Sequence, residues 1–218
     1  MESPFRASDD PDFRLIETFG FVPGQGVARQ ALHLARMARS AAAFGIAFDP
    51  AEARSLIDRL SGATALRCRM TLDAEGQVAM TTAAMPSPAT LWRVAIAPER
   101  LSATDPFLQH KTTRRALYDR ARAELPAGID EWLFLNAQEE LCEGTITNLV
   151  VTCADGRRLT PPLSSGCLPG VYRQSLLERG AVREAVLTRA DLAAAKAIHM
   201  TNALRGEIPA TCVEAAQS

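Results

Sequence analysis

Two neighbouring stretches decide the fold of this chain: "EGTITNLVV" at Glu143–Val151 and "LTPPLSSGCLPGVYRQSLLERG" at Leu159–Gly180. In the second stretch a strand stops at two prolines, small residues follow, and a Pro-Gly pair leads directly into a helix. Such an opening leaves the first backbone N–H groups of the helix available, and together with the helix dipole they favour a phosphate. An ordinary helix start capped by Ser164 or Ser165 is the alternative.

The first stretch carries a carboxylate, Glu143, beside Gly144 and just before alternating threonine and apolar residues. The alternation predicts a strand, and the glycine indicates a bulge or a close approach of the backbone. A carboxylate at this point is suited to hold a protonated ring nitrogen. It is equally compatible with a turn residue that faces water.

A third stretch, "FLQHKTTRRALYDRARAEL" at Phe107–Leu125, contains Lys111 in a chain whose 24 basic residues are 22 Arg and two Lys. Arginine stays protonated, whereas a lysine with a lowered pKa can form a Schiff base or move protons. Lys111 is therefore either a plain surface lysine or a reactive amine that takes part in chemistry. The other lysine, Lys196, provides the comparison.

An amine, a carboxylate and a phosphate-ready helix start are the three contacts that pyridoxal 5′-phosphate needs. The amine forms the imine, the carboxylate keeps the pyridine nitrogen protonated, and the helix start binds the phosphate. A phosphate site usually also includes a cation, for which Arg36 is one candidate among 22 arginines. The pattern predicts a pyridoxal-phosphate site.

Composition limits the alternatives. The 218 residues are 47% hydrophobic and 22% charged, which is typical of a soluble globular chain with a good core. The net charge of −1 gives no basic field for nucleic acid or membrane surfaces. Neither the five cysteines nor the three histidines have metal-ligand spacing, so no metal is expected. The absence of a signal peptide and of paired cysteines favours the cytoplasm.

The order of predicted elements indicates an α+β fold with two domains. After a polar arm over the first dozen residues come a strand, a helix from about Val27 to Phe44, a second helix capped by Asp49, and a hairpin whose turn carries Gly76. Beyond Lys111 we predict a helix near 112–124, strands around an Asp-Gly turn, the Pro-Gly helix and a Thr-capped helix. The predicted domains are 1–104 and 105–218, with Lys111 close to their boundary.

The two opening stretches, in this order, resemble the paired signature of the class IV (fold type IV) pyridoxal-phosphate enzymes. This family includes branched-chain aminotransferases, D-amino-acid aminotransferases and 4-amino-4-deoxychorismate lyases. The resemblance extends from about Leu15 to the C-terminus through "LIET", "LHLARMARSAAAFG", "HKTTRRALYD" and "HMTNALRGEIPA". It implies a smaller N-terminal α+β domain, a larger C-terminal domain with a mixed, barrel-like β-sheet, and a homodimer.

The resemblance also implies a role for each matching residue. Lys111 would be the imine lysine, and Glu143 the partner of the pyridine nitrogen. Arg36 would be the cation at the phosphate, and Leu168 would lie against the ring. Val171 and Tyr172 would donate their backbone N–H groups to the phosphate, and Asn202 would stand at the last phosphate contact. Two positions depart from the branched-chain aminotransferases: Tyr172 replaces a threonine, and Ala116 replaces a tyrosine whose ring contact would be absent or supplied by Tyr118.

Within the family, the short start and "HKTTRRALYDRAR" look most like the lyase part of fused aminodeoxychorismate synthase/lyase proteins, here as a free-standing chain, with a synthase component as a possible partner. The resemblance then implies that Lys111 removes a ring proton and protonates the enolpyruvyl methylene, so that pyruvate leaves. Thr18 would assist this proton transfer. An aminotransferase acting on branched-chain or D-amino acids is the second hypothesis, and a non-enzymatic member of the same fold is the third.

Overall fold

The structure is a computed structural model that describes residues 11–214, so most of the predicted polar arm lies outside the described residues. The chain divides into two compact units. The first consists of the described residues up to Ser87 together with His110–Arg114, and the second consists of Pro88–Gln109 and the described residues from Arg115 onward. The predicted boundary at 104/105 therefore differs from the observed division. The strand Trp92–Leu101 belongs to the second unit because it pairs with strands of that unit's sheet.

The described part of the first unit is a sheet covered by two helices. The sheet has the strand order β2-β1-β3-β4 and is antiparallel throughout. Its elements are β1 (Leu15–Val22), β2 (Gly26–Val27), α1 (Gln30–Phe44), α2 (Pro50–Asp58), β3 (Leu66–Leu72) and β4 (Val78–Ala84).

Alternation along β1 and β3 separates the two faces of this sheet. One face buries the apolar residues of the core, and Glu17 lies on that same face. The core residues contributed by the two strands are Leu15, Phe19, Phe21, Cys68, Met70 and Leu72. The helix α1 begins three residues later than predicted, because Gly26–Val27 pairs with the end of β1 and Arg29 adopts a left-handed conformation.

Lys111 lies in a short segment that runs antiparallel to the start of β1. The carbonyl of Lys111 accepts a hydrogen bond from the Ile16 N–H at 2.8 Å, and Thr112 forms an isolated bridge with Leu15. Thr113 also donates its N–H to the Arg14 carbonyl at 2.9 Å, and α3 begins only at Ala116 and not near 112 as predicted. The backbone of Lys111 is therefore bonded to Ile16, which lies two residues before Thr18 on β1.

The second unit is built on a mixed sheet of eight described strands in the order β10-β9-β8-β11-β12-β5-β6-β7, with a further pairing between β8 and β7. Its elements are β5 (Trp92–Leu101), α3 (Ala116–Ala123), β6 (Glu131–Asn136), β7 (Leu141–Gly144), β8 (Asn148–Thr152), β9 (Arg158–Thr160), α4 (Val171–Glu178), β10 (Arg183–Glu184), α5 (Arg189–Ala193), β11 (Ala197–Asn202) and β12 (Gly206–Cys212).

The β7–β8 pairing closes six strands into a ring. Within the ring β5 pairs in parallel with β6 and β12, whereas the remaining neighbours are antiparallel. Alternate residues of β6 enter two separate apolar clusters, Leu133 and Leu135 in one and Trp132 and Phe134 in the other. The predicted α+β fold with a barrel-like second unit is confirmed.

Several local predictions hold and one does not. The Asp155-Gly156 turn joins β8 to β9, and α5 begins with the predicted capping box between Thr188 and Asp191. The predicted continuous strand after Glu143 is wrong. Residues 145–147 form a turn, because β7 ends at Gly144 and Glu143 pairs with Asn148 at the start of β8.

Candidate functional site

The first unit contains a buried ion pair between β1 and α1. Arg36 donates from Nε to Glu17 Oε1 at 2.8 Å and from Nη2 to Oε2 at 2.7 Å. His33, one helical turn before Arg36, places Nδ1 2.5 Å from the same Oε2. Burial raises the pKa of Glu17, but the charge of Arg36 and the hydrogen bonds from His33 and Arg36 outweigh it and lower that pKa to about 2.

Arg36, predicted from the resemblance to bind phosphate, is thus held at one edge of its guanidinium group by a carboxylate that sequence reasoning missed. The sequence did contain a signal for this carboxylate. Glu17 lies two residues after Leu15 and two before Phe19, so it falls on the same face of β1 as these apolar residues. A bidentate pair fixes the orientation of the arginine. The phosphate contact itself remains a prediction.

Thr18 lies on the opposite face of β1 from Glu17. Its direct neighbour across the sheet is Arg69 on β3. The residue before Lys111, His110, contacts Ser40 Oγ through Nδ1 at 2.9 Å, and burial together with the charge of Arg39 lowers the pKa of His110. The catalytic roles of Lys111 and Thr18 remain predictions.

In the second unit, Glu143 is buried at the end of β7 and is held by three donors. The Tyr118 hydroxyl donates to Oε1 at 2.7 Å, and the Leu168 N–H and Asn148 Nδ2 donate to Oε2 at 2.9 and 3.4 Å. Burial and the adjacent charge of Glu143 raise the pKa of Tyr118 well above its ordinary value, so the phenol remains a donor. The alternative of a solvent-facing turn residue is wrong, since Glu143 is 5% exposed.

Asn148 links this carboxylate to the loop before α4. Its Nδ2 also donates to the carbonyl of Leu168 at 2.9 Å. A Cβ built at Gly170 would overlap Asn148 Oδ1, so the glycine is required by this close approach. Leu168, predicted to lie against a ring, is therefore fixed through both of its backbone polar groups. Sequence reasoning missed Asn148.

The start of α4 has no side-chain cap. Gly170 is the N-cap residue, and the proposed serine caps are wrong, because Ser165 lies in a short 3₁₀ turn and donates to Glu140. Val171, the first helical residue, is buried, and the ring of Tyr172 lies beside Gly206. The backbone N–H groups of this turn remain the predicted phosphate donors.

Asn202 ends β11 and joins two turns. Its Oδ1 accepts from the N–H groups of Leu204 and Arg205 at 3.1 and 2.8 Å, and its Nδ2 donates to the carbonyl of Ile146 at 3.4 Å. Both ends of the amide are thus engaged within the fold. The contact of this turn with phosphate stays a prediction.

Two broader features complete the description of residues 11–214. Every helix in that range falls short of the length and apolar character that a membrane crossing requires. In the same range no three or more His, Cys, Asp or Glu side chains gather in a way that suits a metal ion.

A family model for amino-transferase class IV matches residues 14–213. The chain therefore belongs to the class IV aminotransferase family, a group of pyridoxal-phosphate-dependent enzymes that share fold type IV. Over 138 residues it is 32% identical to the aminodeoxychorismate lyase of Saccharomyces cerevisiae, a match that covers 55% of this chain and 37% of the yeast protein. The matched part is thus little more than a third of that relative.

Several solved structures, two of which follow, are similar over most of the chain. A Mesorhizobium loti protein, provisionally described as an amino-acid aminotransferase, has a TM-score of 0.87 and 43% identity, covering 93% of this chain and 100% of the other. The 4-amino-4-deoxychorismate lyase of Pseudomonas aeruginosa has a TM-score of 0.75 and 24% identity, covering 91% and 82%. The second likeness concerns the fold alone.

The donor and acceptor groups of each unit fit pyridoxal 5′-phosphate. The second unit provides an oriented acceptor carboxylate, Glu143, and a helix start whose N–H groups lack a side-chain cap. The first unit provides an amine, Lys111, and an oriented cation, Arg36. These are the chemical types that a pyridinium nitrogen, a phosphate and an aldehyde require.

Proposed function

We propose that this chain is a pyridoxal-phosphate-dependent lyase that converts 4-amino-4-deoxychorismate to 4-aminobenzoate and pyruvate, which provides a folate precursor. The observation that carries the cofactor assignment is the Glu143 carboxylate, buried and oriented by three donors next to the loop that opens α4. The identity with the yeast lyase supports this reaction class. When bound, pyridoxal phosphate supplies an aldehyde joined to an electron-withdrawing ring.

The side chains divide the work. Glu143 accepts the ring N–H, Arg36 and the N–H groups of Val171 and Tyr172 bind the phosphate, and the Asn202 turn adds the last contact. Lys111, once its amine is neutral, takes the proton from the substrate's ring C4. The resulting ammonium then protonates the enolpyruvyl methylene as pyruvate leaves.

Thr18 shares the transfer of that proton. Its hydroxyl can accept from one group and donate to another, as a proton relay requires.

An aminotransferase is the second candidate function, because the full-length likeness to the Mesorhizobium loti protein favours amine transfer. Two assays on the purified protein separate the candidates. The lyase forms 4-aminobenzoate and pyruvate from aminodeoxychorismate, whereas an aminotransferase moves the amine of a branched-chain or D-amino acid to a keto acid. Amine transfer without any 4-aminobenzoate would reject the lyase.

Replacing Lys111 tests the cofactor assignment directly. We expect the protein reconstituted with pyridoxal phosphate to be yellow. Lys111→Ala should lose the band of the covalent lysine–cofactor bond, and with it activity by a factor of about 10²–10⁴ or more. Lys196→Ala, which removes the only other lysine, should keep both. A wild-type protein that takes up no cofactor would reject the pyridoxal-phosphate assignment itself.

We also propose that the active form is a homodimer in the cytoplasm and that an aminodeoxychorismate synthase component supplies its substrate. The family resemblance supports the dimer and the synthase component, and the cysteine usage supports the cytoplasm. Sedimentation equilibrium of the reconstituted protein should give twice the chain mass of 23.5 kDa. A monomer with full lyase activity would reject the dimer.

A further inference from the structure

Glu131, the first residue of β6, is fully buried and accepts hydrogen bonds from five donors. Its Oε1 accepts from the Trp132 N–H at 3.1 Å, the Thr145 N–H at 3.1 Å and Thr145 Oγ1 at 2.5 Å. Its Oε2 accepts from the Ile146 N–H at 3.3 Å and Thr147 Oγ1 at 3.1 Å. Four of these donors belong to residues 145–147, the turn between β7 and β8.

The same turn is held from α3. Arg115 donates to the Thr145 carbonyl and Arg122 donates to Thr145 Oγ1, both at 3.1 Å. Arg122 also lies 3.6 Å from Glu131 Oε1. A Cβ built at Gly144 would collide with the Glu131 side chain, so the turn closes directly over this carboxylate. Burial raises the pKa of Glu131, while the hydrogen bonds from Thr145 and the charge of Arg122 act against it.

The turn connects two predicted cofactor contacts. Glu143 lies two residues before Thr145, the first residue of the turn, and pairs across the turn with Asn148, which donates to the Glu143 carboxylate. On the other side, the Ile146 carbonyl accepts from Asn202, whose Oδ1 in turn holds the N–H groups of residues 204 and 205. Hydrogen bonds therefore lead from Glu131 through Ile146 to Asn202. Glu143 and Asn148, which are hydrogen-bonded to each other, flank the same turn along the chain.

We propose that Glu131 is a positioning residue, whose carboxylate fixes the 145–147 turn and thereby aligns Glu143 and the Asn202 turn for the cofactor. This inference rests on the proposed pyridoxal-phosphate function. In this proposal Glu131 acts through the turn that it binds, without contacting the cofactor itself. Its role is to hold the backbone that carries the groups that do.

The chemistry of the five donors explains why a carboxylate is needed. Two oxygens, each with two lone pairs, can satisfy backbone N–H groups on both sides at once. A glutamine places an NH₂ group against backbone donors whichever way its amide is turned, and those N–H groups cannot rotate away. An aspartate keeps the charge but is one methylene too short to reach both oxygen positions.

The test compares Glu131→Gln and Glu131→Asp with Glu139→Gln, a control at an exposed ion pair with Arg100 and Arg189. In the unliganded protein we expect the amides of residues 145 and 146 to exchange hydrogen about 10- to 100-fold faster in both Glu131 variants. The amides of 204 and 205 should follow in the same direction. In both Glu131 variants the Kd for pyridoxal phosphate should rise by about tenfold or more. The pH midpoint of the visible band of the bound cofactor should shift by about half a pH unit.

Each alternative result has one meaning. If the amides of 145 and 146 exchange as slowly in the Glu131 variants as in Glu139→Gln, the proposal is overturned. It is also overturned if their exchange is faster but the cofactor affinity and the band midpoint are unchanged. A midpoint shift in the glutamine variant alone would mean that Glu131 acts through its charge, which also overturns the proposal.

Thr147→Val provides a second test if the Glu131 variants fail to fold. It removes one neutral donor to Glu131, so it should accelerate hydrogen exchange at residues 145 and 146 by a smaller factor. Wild-type protein that binds no cofactor rejects the proposed function, whereas exchange in the unliganded protein still decides whether Glu131 orders the turn.

Discussion

The two units each bury a carboxylate completely, and they compensate for its burial in different ways. Glu17 in the first unit is matched by the guanidinium of Arg36 and the ring of His33. Glu131 in the second unit is matched mainly by neutral N–H and O–H groups of one turn, with Arg122 further away. Burial is the same in both, so the partners decide how each carboxylate behaves.

The pKa values move in opposite directions. The pKa of Glu17 falls to about 2, because a full positive charge at hydrogen-bonding distance outweighs the loss of water. The pKa of Glu131 rises, because dipoles and a more distant arginine do not offset that loss. The first carboxylate therefore orients a cation, whereas the second organises a backbone turn.

Removing the charge of Glu17 is expected to have the largest effect on stability. Glu17→Gln leaves the Arg36 guanidinium buried without its counter-charge, and the free energy of unfolding should fall by about 3–5 kcal/mol. Urea denaturation at pH 7 measures the change. Glu75→Gln, at an exposed hairpin turn of the same unit, should change it by about 0.5 kcal/mol or less. A loss below about 1 kcal/mol for Glu17→Gln would remove the distinction between the two carboxylates.

The contributions of the two carboxylates to stability should also differ in their dependence on acid pH. Because the pKa of Glu17 is lowered from its usual 4.5 to about 2, its contribution is fully present above pH 4.5 and is lost as the pH falls through 2. That contribution is on the order of 3 kcal/mol.

Urea midpoints from pH 7 to pH 2.5 test this expectation. The gap between wild type and Glu17→Gln should shrink over the acid range. The gap between wild type and Glu131→Gln should not shrink over that range. A carboxyl group whose pKa is raised by folding contributes stability below pH 4.5, and this contribution is lost as the pH rises. Parallel acid profiles for both variants would contradict the assigned directions.

The smallest effect concerns Glu143, which, like Glu131, accepts hydrogen bonds from neutral hydroxyl, amide and backbone donors. Tyr118→Phe removes the hydroxyl donor and leaves the donors of Leu168 and Asn148 in place. The expected loss is about 1 kcal/mol in the free energy of unfolding, measured by urea denaturation of the unliganded protein. A loss comparable to that of Glu17→Gln would show that Tyr118 does more than donate one neutral hydrogen bond.

Local signals were sufficient for much of the fold. The hairpin turns at Gly76 and Gly156, and the capping box of Thr188 and Asp191, depend on residues a few positions apart, and each forms as predicted. The helix after the Pro-Gly pair also forms as predicted, but the serine cap that its sequence allowed does not. For Glu143 the sequence left two alternatives open, and burial of the side chain excludes the turn residue that faces water.

Other features could not be read from the chain. The threonines around Ile146 alternate like a strand, yet they form a turn because both turn toward Glu131. The strand Trp92–Leu101 looked like part of the first domain, but its hydrogen bonds go to β6 and β12. In each case the deciding partner lies far along the chain.

The sequence by itself determined the family, the element types and the residues with suitable chemistry, since these depend on composition, period and short motifs. Tertiary structure alone decided that Glu17 holds Arg36 and that Glu131 holds the turn beside Glu143. The physical reason is that a buried polar group must find its partners within about 3 Å in space. Which partners those are depends on how strands and helices pack, and spacing along the chain does not encode it.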